Sequence, residues 1–199
     1  MKTQIITIHG GETFGSYEVY IAWLMSFEID LNYADKKGWK DDLKEKLEGG
    51  FEIVQPEMPN WMNAKYLEWK IHFEKYLPFI NGDAVFIGHS LGGIFLAKYF
   101  SENDYPKKVK GIFMLAAPYD KVSSTDDMAD FVLSNDLSKL ASYGDKVYLY
   151  HSKDDPIVPF SHLTQYQKQL PMAKVRILEN MGHFRVEEIP ELIEDIKNI

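Results

Sequence analysis

The chain has 199 residues, 45% hydrophobic and 26% charged, with a formal net charge of −8 and no cysteine. Such a length and composition suit one soluble globular domain with a sizeable core, residues 1–199 as a single unit. The acidic balance argues against a nucleic-acid backbone or an anionic membrane surface as partner; the missing thiols exclude disulfides, thiolate metal sites and a cysteine nucleophile.

Met1-Lys2-Thr3-Gln4 runs straight into Ile5-Ile6-Thr7-Ile8, too short for a signal-peptide core. No apolar run approaches the roughly 18 residues of a membrane helix, so the expected location is the cytoplasm. A strand is predicted over 4–9 and a helix over 17–29. The stretch 31–40 reads as an excursion before a helix over 41–48 and a strand over 51–54. A helix over 63–77 follows, in which Leu67, Ile71 and Leu77 keep apolar helical spacing with only Glu74 polar among them, and Pro78 stops it. Next come a strand over 83–87, a helix over 90–101 and a strand over 110–116. Residues 119–145 read as a small helical cap insertion of the kind that shapes substrate access. The chain closes with a strand over 146–151, a helix over 160–170, a strand over 174–178 and a helix over 186–199. None of the strands shows clean polar alternation, as expected when helices cover both faces of a parallel sheet.

The motif Gly88-His89-Ser90-Leu91-Gly92-Gly93 lies between the third strand and its helix. G-x-S-x-G in that setting is a nucleophile elbow, a strained turn that lifts the serine hydroxyl above the sheet. It predicts an α/β-hydrolase fold: a mainly parallel sheet of about six strands, helices on both faces and the small cap.

A serine hydroxyl needs a base, and the base needs a carboxylate to fix its tautomer, in the chain order Ser, acid, His. The fifth strand leads into Asp154-Asp155-Pro156-Ile157-Val158-Pro159. Asp155 is the chosen acid, since Pro156 holds it extended; Asp154 is the alternative, or a brace of the turn. His183, in Gly182-His183-Phe184 after the last strand, is the base. Its need to be neutral predicts activity that falls on acidification through about pH 6–7. His89 reads as a neighbour of Ser90, His9 as a brace of the loop after the first strand, His151 as structural, and His72 and His162 as solvent-facing or rim residues. No histidine pair has metal-site spacing, so no metal and no cofactor is expected.

The oxyanion needs two backbone N–H donors. One is Leu91, at the start of a helix. The other comes from His9-Gly10-Gly11-Glu12 and is assigned to Gly11, with Glu12 as the alternative. Phe14, Trp61, Met62, Tyr119 and Phe184 flank these motifs and are the candidate pocket residues.

The chain resembles the small single-domain serine hydrolases related to retinoblastoma-binding protein nine and its bacterial relatives. The resemblance rests on His9-Gly10, Trp23-Leu24, Pro56-Glu57-Met58-Pro59-Asn60, Trp69 and the motifs at 88–93, 154–159 and 182–184. It implies an α/β-hydrolase fold, a triad on Ser90, Asp155 and His183, and esterase-like activity; some relatives are best known for protein interactions. The expected substrate is a small carboxylic ester with a short acyl chain. Thioester or amide hydrolysis, acyl transfer by the same triad, and a protein-interaction module are the alternatives. The sequence leaves the oligomeric state open.

Overall fold

The computed structural model describes residues 2–29, 37–47, 49–80, 82–120 and 128–199. Six strands form one sheet: β1 (Thr3–Ile8), β2 (Phe51–Val54), β3 (Asp83–His89), β4 (Lys108–Leu115), β5 (Val147–Ser152) and β6 (Lys174–Leu178). Their order is β2-β1-β3-β4-β5-β6, and every neighbouring pair is parallel. The molecule has the α/β-hydrolase fold expected from the elbow motif. The chain goes one way from β1 to β2, then crosses back to β3 and runs outward. The crevice therefore opens above the carboxyl ends of β1 and β3, where open α/β sheets bind ligands.

The strands read as apolar because alternate residues feed two separate cores. Ile6, Ile8, Phe86, Ile112, Met114 and Leu149 pack on one face, under α3 (Tyr66–Tyr76), α4 (Leu91–Glu102) and α6 (Ser161–Gln169). Ile5, Val85, Ile87, Phe113, Leu115 and Tyr150 pack on the other, under α2 (Trp39–Lys46) and α7 (Pro190–Lys197). Tyr150 Oη and the Nε and Nη2 groups of Arg176 converge on the carboxylate of Asp195, at 2.9 and 2.6 Å for the arginine, which ties α7 to β5 and β6. Among the described residues no helix is long and apolar enough to cross a membrane.

Helix α1 (Tyr17–Ser26) is capped by Ser16, whose Oγ accepts from the Val19 amide. It buries none of its residues. Helix α2 begins at Trp39, two residues before its expected start, and α7 at Pro190 rather than Val186. Proline suits a first helical position, because the N–H there has no partner inside the helix.

The expected buried face of α3 is wrong. Leu67 and Ile71 are exposed, and the helix buries Tyr66, Trp69 and Phe73 instead. These aromatics keep the same helical spacing but bury more area, which decides the rotation of the helix. Trp69 also donates from Nε1 to the Pro59 carbonyl at 2.8 Å.

Residues 121–127, near the start of the cap expected over 119–145, lie outside the described residues, as do 31–36 of the excursion over 31–40. What is described of the insertion includes one turn at Ala129–Phe131 and the short helix α5 (Ser138–Ala141). Asp130 accepts from the Tyr66 and Leu67 amides at 2.8 and 3.3 Å and so caps α3 from outside. Phe131 is fully buried against Trp69.

The corrected face of α3 carries a clear expectation. Trp69→Ala lowers stability by about 3–5 kcal/mol, the usual loss for a large buried aromatic, whereas Leu67→Ala stays within about 0.5 kcal/mol. Urea midpoints of the two variants check it; equal losses would restore the Leu67 face.

Candidate active site

Ser90 joins β3 to α4 with φ 54° and ψ −121°, a conformation costly for any side-chain-bearing residue. Close packing imposes it. A Cβ on Gly88 would stand 2.2 Å from the Gly92 carbonyl oxygen, and one on Gly92 would stand 2.4 Å from that of Ile8. Gly93 is pressed on Ala117, where a Cβ would meet the alanine methyl at 2.6 Å. The Ser90 amide donates to the Leu115 carbonyl at 2.8 Å, which fixes the turn to β4.

Asp155 leaves the carboxyl end of β5, and its side chain is wholly buried. Its carboxylate accepts from the amides of Ile157 and Val158 at 2.8 and 3.0 Å and from His183 Nδ1 at 2.8 Å. Burial pushes this carboxyl up, but the bonds from His183, Val158 and Ile157 win and hold it below the ordinary carboxylate range. With Nδ1 donating to Asp155, the Nε2 lone pair of neutral His183 is left for another partner. Asp154 has a different task. It accepts from Ser152 Oγ and from the Gly182 amide, and so braces the loop that carries His183. His89, next to Ser90, donates from Nε2 to the His183 carbonyl at 2.9 Å.

The loop after β1 approaches the elbow from the other side. A Cβ on Gly10 would lie 3.2 Å from the Ser90 Cβ. His9 holds this loop: Nδ1 donates to the Gly10 carbonyl at 2.6 Å, and Nε2 accepts from the Met58 amide at 2.8 Å. The Glu12 amide is committed to the Trp61 carbonyl at 2.7 Å. Of the two alternatives for a second oxyanion donor, only Gly11 has an amide with no backbone acceptor among the described residues. Gly11 tolerates no side chain, since a Cβ would meet the Trp61 carbonyl oxygen at 2.6 Å.

A family model described as serine hydrolase matches residues 31–194, a span that contains the elbow, Asp155 and His183. The chain belongs to the serine hydrolase family. No curated protein matches the sequence. Among solved structures, this hydrolase is similar to the ydeN gene product from B. subtilis, with a TM-score of 0.78 and 19% identity over 99% of this chain and 98% of that one. It is also similar to a structure from a study of carboxylesterases of Nitrososphaera gargenis, at TM-score 0.64 and 16% identity, covering 99% and 89%. Est1E from Butyrivibrio proteoclasticus gives 0.58 and 16%, covering 99% and 86%. At such identities these likenesses show the fold.

In this serine hydrolase, Ser90, Leu91, Gly11 and His183 line one open cavity of about 760 Å³. Trp61 and Phe184 line it too. Phe14, Met62 and Tyr119 do not. The Phe14 ring is covered by α1, with Tyr20 and Trp23 at 5.6 and 5.2 Å. Tyr119 turns its ring onto Tyr166, at 4.9 Å. Met62 follows Trp61 in a tight turn, where successive side chains diverge by about 120°. The sequence reading missed Trp39 and Lys40 at the start of α2, and Met128, Ile157 and Val158. Trp39-Lys40 ends the stretch 31–40, whose reading as an excursion was the available signal.

His9, His89, His151 and His162 make structural hydrogen bonds, and His72 lies on α3 with its ring 5.3 Å from that of Tyr76. His162 is buried rather than on the rim, where its Nδ1 accepts from the Tyr119 amide at 2.9 Å. His151 donates from Nε2 to the Val158 carbonyl at 2.9 Å. Burial is the largest influence on His9, His89, His151 and His162, and lowers all four; His89 is pushed down to about 3.

This produces a pH dependence of stability with a definite sign. Below the unfolded imidazole value of about 6.5 the unfolded chain binds protons that these folded histidines refuse, so stability falls with acidification. Each histidine held neutral contributes up to about 1.4 kcal/mol per pH unit in that window. Asp155, depressed when folded, acts only below the usual carboxylate range. Melting temperatures should therefore drop steadily from pH 6.5 to 4.5, and more gently in His89→Asn; a flat profile would contradict the buried neutral state.

Proposed function

We propose that this protein is a carboxylesterase-like enzyme that cleaves small carboxylic esters through an acyl-enzyme on Ser90. The observation that carries the reading is His183, held at 2.8 Å by a buried Asp155 and sharing a cavity with a strained serine. The Ser90 hydroxyl makes no hydrogen bond to another described residue, so its contact with His183 Nε2 forms as substrate seats, a common state of unliganded sites.

In the proposed reaction Ser90 Oγ bonds to the ester carbon while His183 Nε2 takes its proton. The amides of Leu91 and Gly11 receive the oxyanion of the tetrahedral intermediate, and the α4 dipole adds to the field there. The ester C–O bond then breaks, and His183 returns the proton to the departing alkoxide. Water repeats the sequence on the acyl-enzyme, with His183 again as base, and releases the acid and free Ser90. Asp155 stays ionised throughout and stabilises the imidazolium. The kinship to proteins related to retinoblastoma-binding protein nine fits the same residues and belongs to this proposal. So does a preference for short acyl chains, supported by a cavity that opens broadly to solvent.

A fluorophosphonate serine probe, read by intact mass, tests the assignment. One adduct is expected on wild type and none on Ser90→Ala. Ser90→Ala and Asp155→Asn should each lower ester kcat by on the order of 10⁴-fold, with the fold intact by circular dichroism. Undiminished turnover by Ser90→Ala would remove Ser90 as nucleophile.

A further inference from the structure

Lys40 is the second residue of α2 and lines the catalytic cavity. It is partly buried, and among the described residues no carboxylate lies within ion-pair distance of it. Lys46, Lys98 and Lys110, by contrast, each have such a partner. The neighbouring Asp41 turns its carboxylate to the Gly38 amide, at 3.2 Å. The Lys40 ammonium instead sits 5.7 Å from the centre of the Trp39 ring. It is near enough to His9 and His89, on either side of Ser90, for its charge to act on both. Arg185 and Glu12, which also line the cavity, have partners of their own. Burial is the largest influence on Lys40 and lowers it, against the opposing pull of the Asp41 charge, which marks the cost of partly desolvating this cation with no ion pair among the described residues.

A charge kept at that cost beside a nucleophile is compensated when a ligand supplies the opposite one. We propose that Lys40 recognises a carboxylate on the substrate, so that the preferred esters carry a monoanionic carboxylate a few bonds from the scissile bond. This rests on the Ser90 hydrolase reading and adds the substrate class to it. Lys37 and Arg185 line the cavity as well, but so do Glu12, Asp41 and Glu187, and that balance suits one added negative charge rather than a phosphate dianion, which calls for a cluster of uncompensated donors. The chain as a whole is acidic, at −8, so long-range steering does not favour such a substrate and the recognition is local.

The test compares kcat/KM for monoethyl glutarate with that for its neutral amide, ethyl glutaramate, and for O-acetyl glycolate with its amide. The first pair carries the carboxylate on the acyl half, the second on the alcohol half. Wild type should prefer the charged member of at least one pair by about tenfold, the scale of one charged hydrogen bond. Lys40→Met, which keeps the aliphatic stem, should bring that ratio near one, and Lys40→Arg should restore part of it. Lys168→Met, the same charge change on an exposed face of α6, should keep it. A wild-type ratio of one or less in both pairs, or a ratio unmoved by Lys40→Met, overturns the proposal. If neither pair is hydrolysed and the serine probe does not label Ser90, the hydrolase reading has failed. Calorimetry with free glutarate and with inorganic phosphate then decides on Lys40 alone. Glutarate binding to Ser90→Ala that is lost in Ser90→Ala/Lys40→Met supports the site; no binding, or tighter binding of phosphate, overturns it.

Discussion

The site depends on one close approach. Helix α4 starts so near the carboxyl ends of β1 and β3 that Gly88 and Gly92 lie against backbone carbonyls with no room for a methyl group. That contact forces Ser90 into positive φ and lifts its side chain clear of the sheet. The strain is sustained by the buried apolar face of α4, where Ile94, Phe95, Leu96 and Phe100 are completely covered. Core packing and the reactive geometry are therefore one problem here: the burial of α4 is what holds the serine upright.

The other proposed groups are fastened to this point by backbone and side-chain bonds. His89 of the elbow holds the carbonyl of His183, so the proposed nucleophile and base share a short connection. Ser152 at the end of β5 bonds to Asp154 and receives the Met181 amide, which joins the acid-bearing loop to the base-bearing one. His9 ties the loop after β1 to Met58. Each loop thus has its own polar anchor, a common requirement where catalysis needs fixed distances.

Much of this was legible in the sequence, for identifiable reasons. All six strands were found because apolar runs buried on both faces are unambiguous between helical patterns, and the edges of β2 and β6 fell where expected. The elbow motif announced itself because its glycines answer steric needs within six residues of chain. The face of α3 was not legible, since two apolar stripes competed on one helix and only tertiary packing chose Tyr66, Trp69 and Phe73. Pocket membership failed at Phe14 and Tyr119 for a related reason: nearness in sequence to a motif does not fix where a ring points. Lys40 stayed hidden because its meaning lies in the lack of an ion pair among the described residues, which no local pattern records.

The position of β6 has a consequence for how the molecule comes apart. This strand pairs on one side only, most of its residues are at least partly exposed, and His183 follows directly after it. Opening of a sheet margin needs less free energy than disassembly of the centre, so the end that carries His183 belongs to a less protected cooperative unit than β3 and α4. The clasp of Arg176 and Tyr150 on Asp195 sets the threshold for that opening. On warming, the margin that carries His183, the proposed base, separates first, while the elbow remains in a still-folded centre. Heat inactivation would then run ahead of global melting and reverse on cooling.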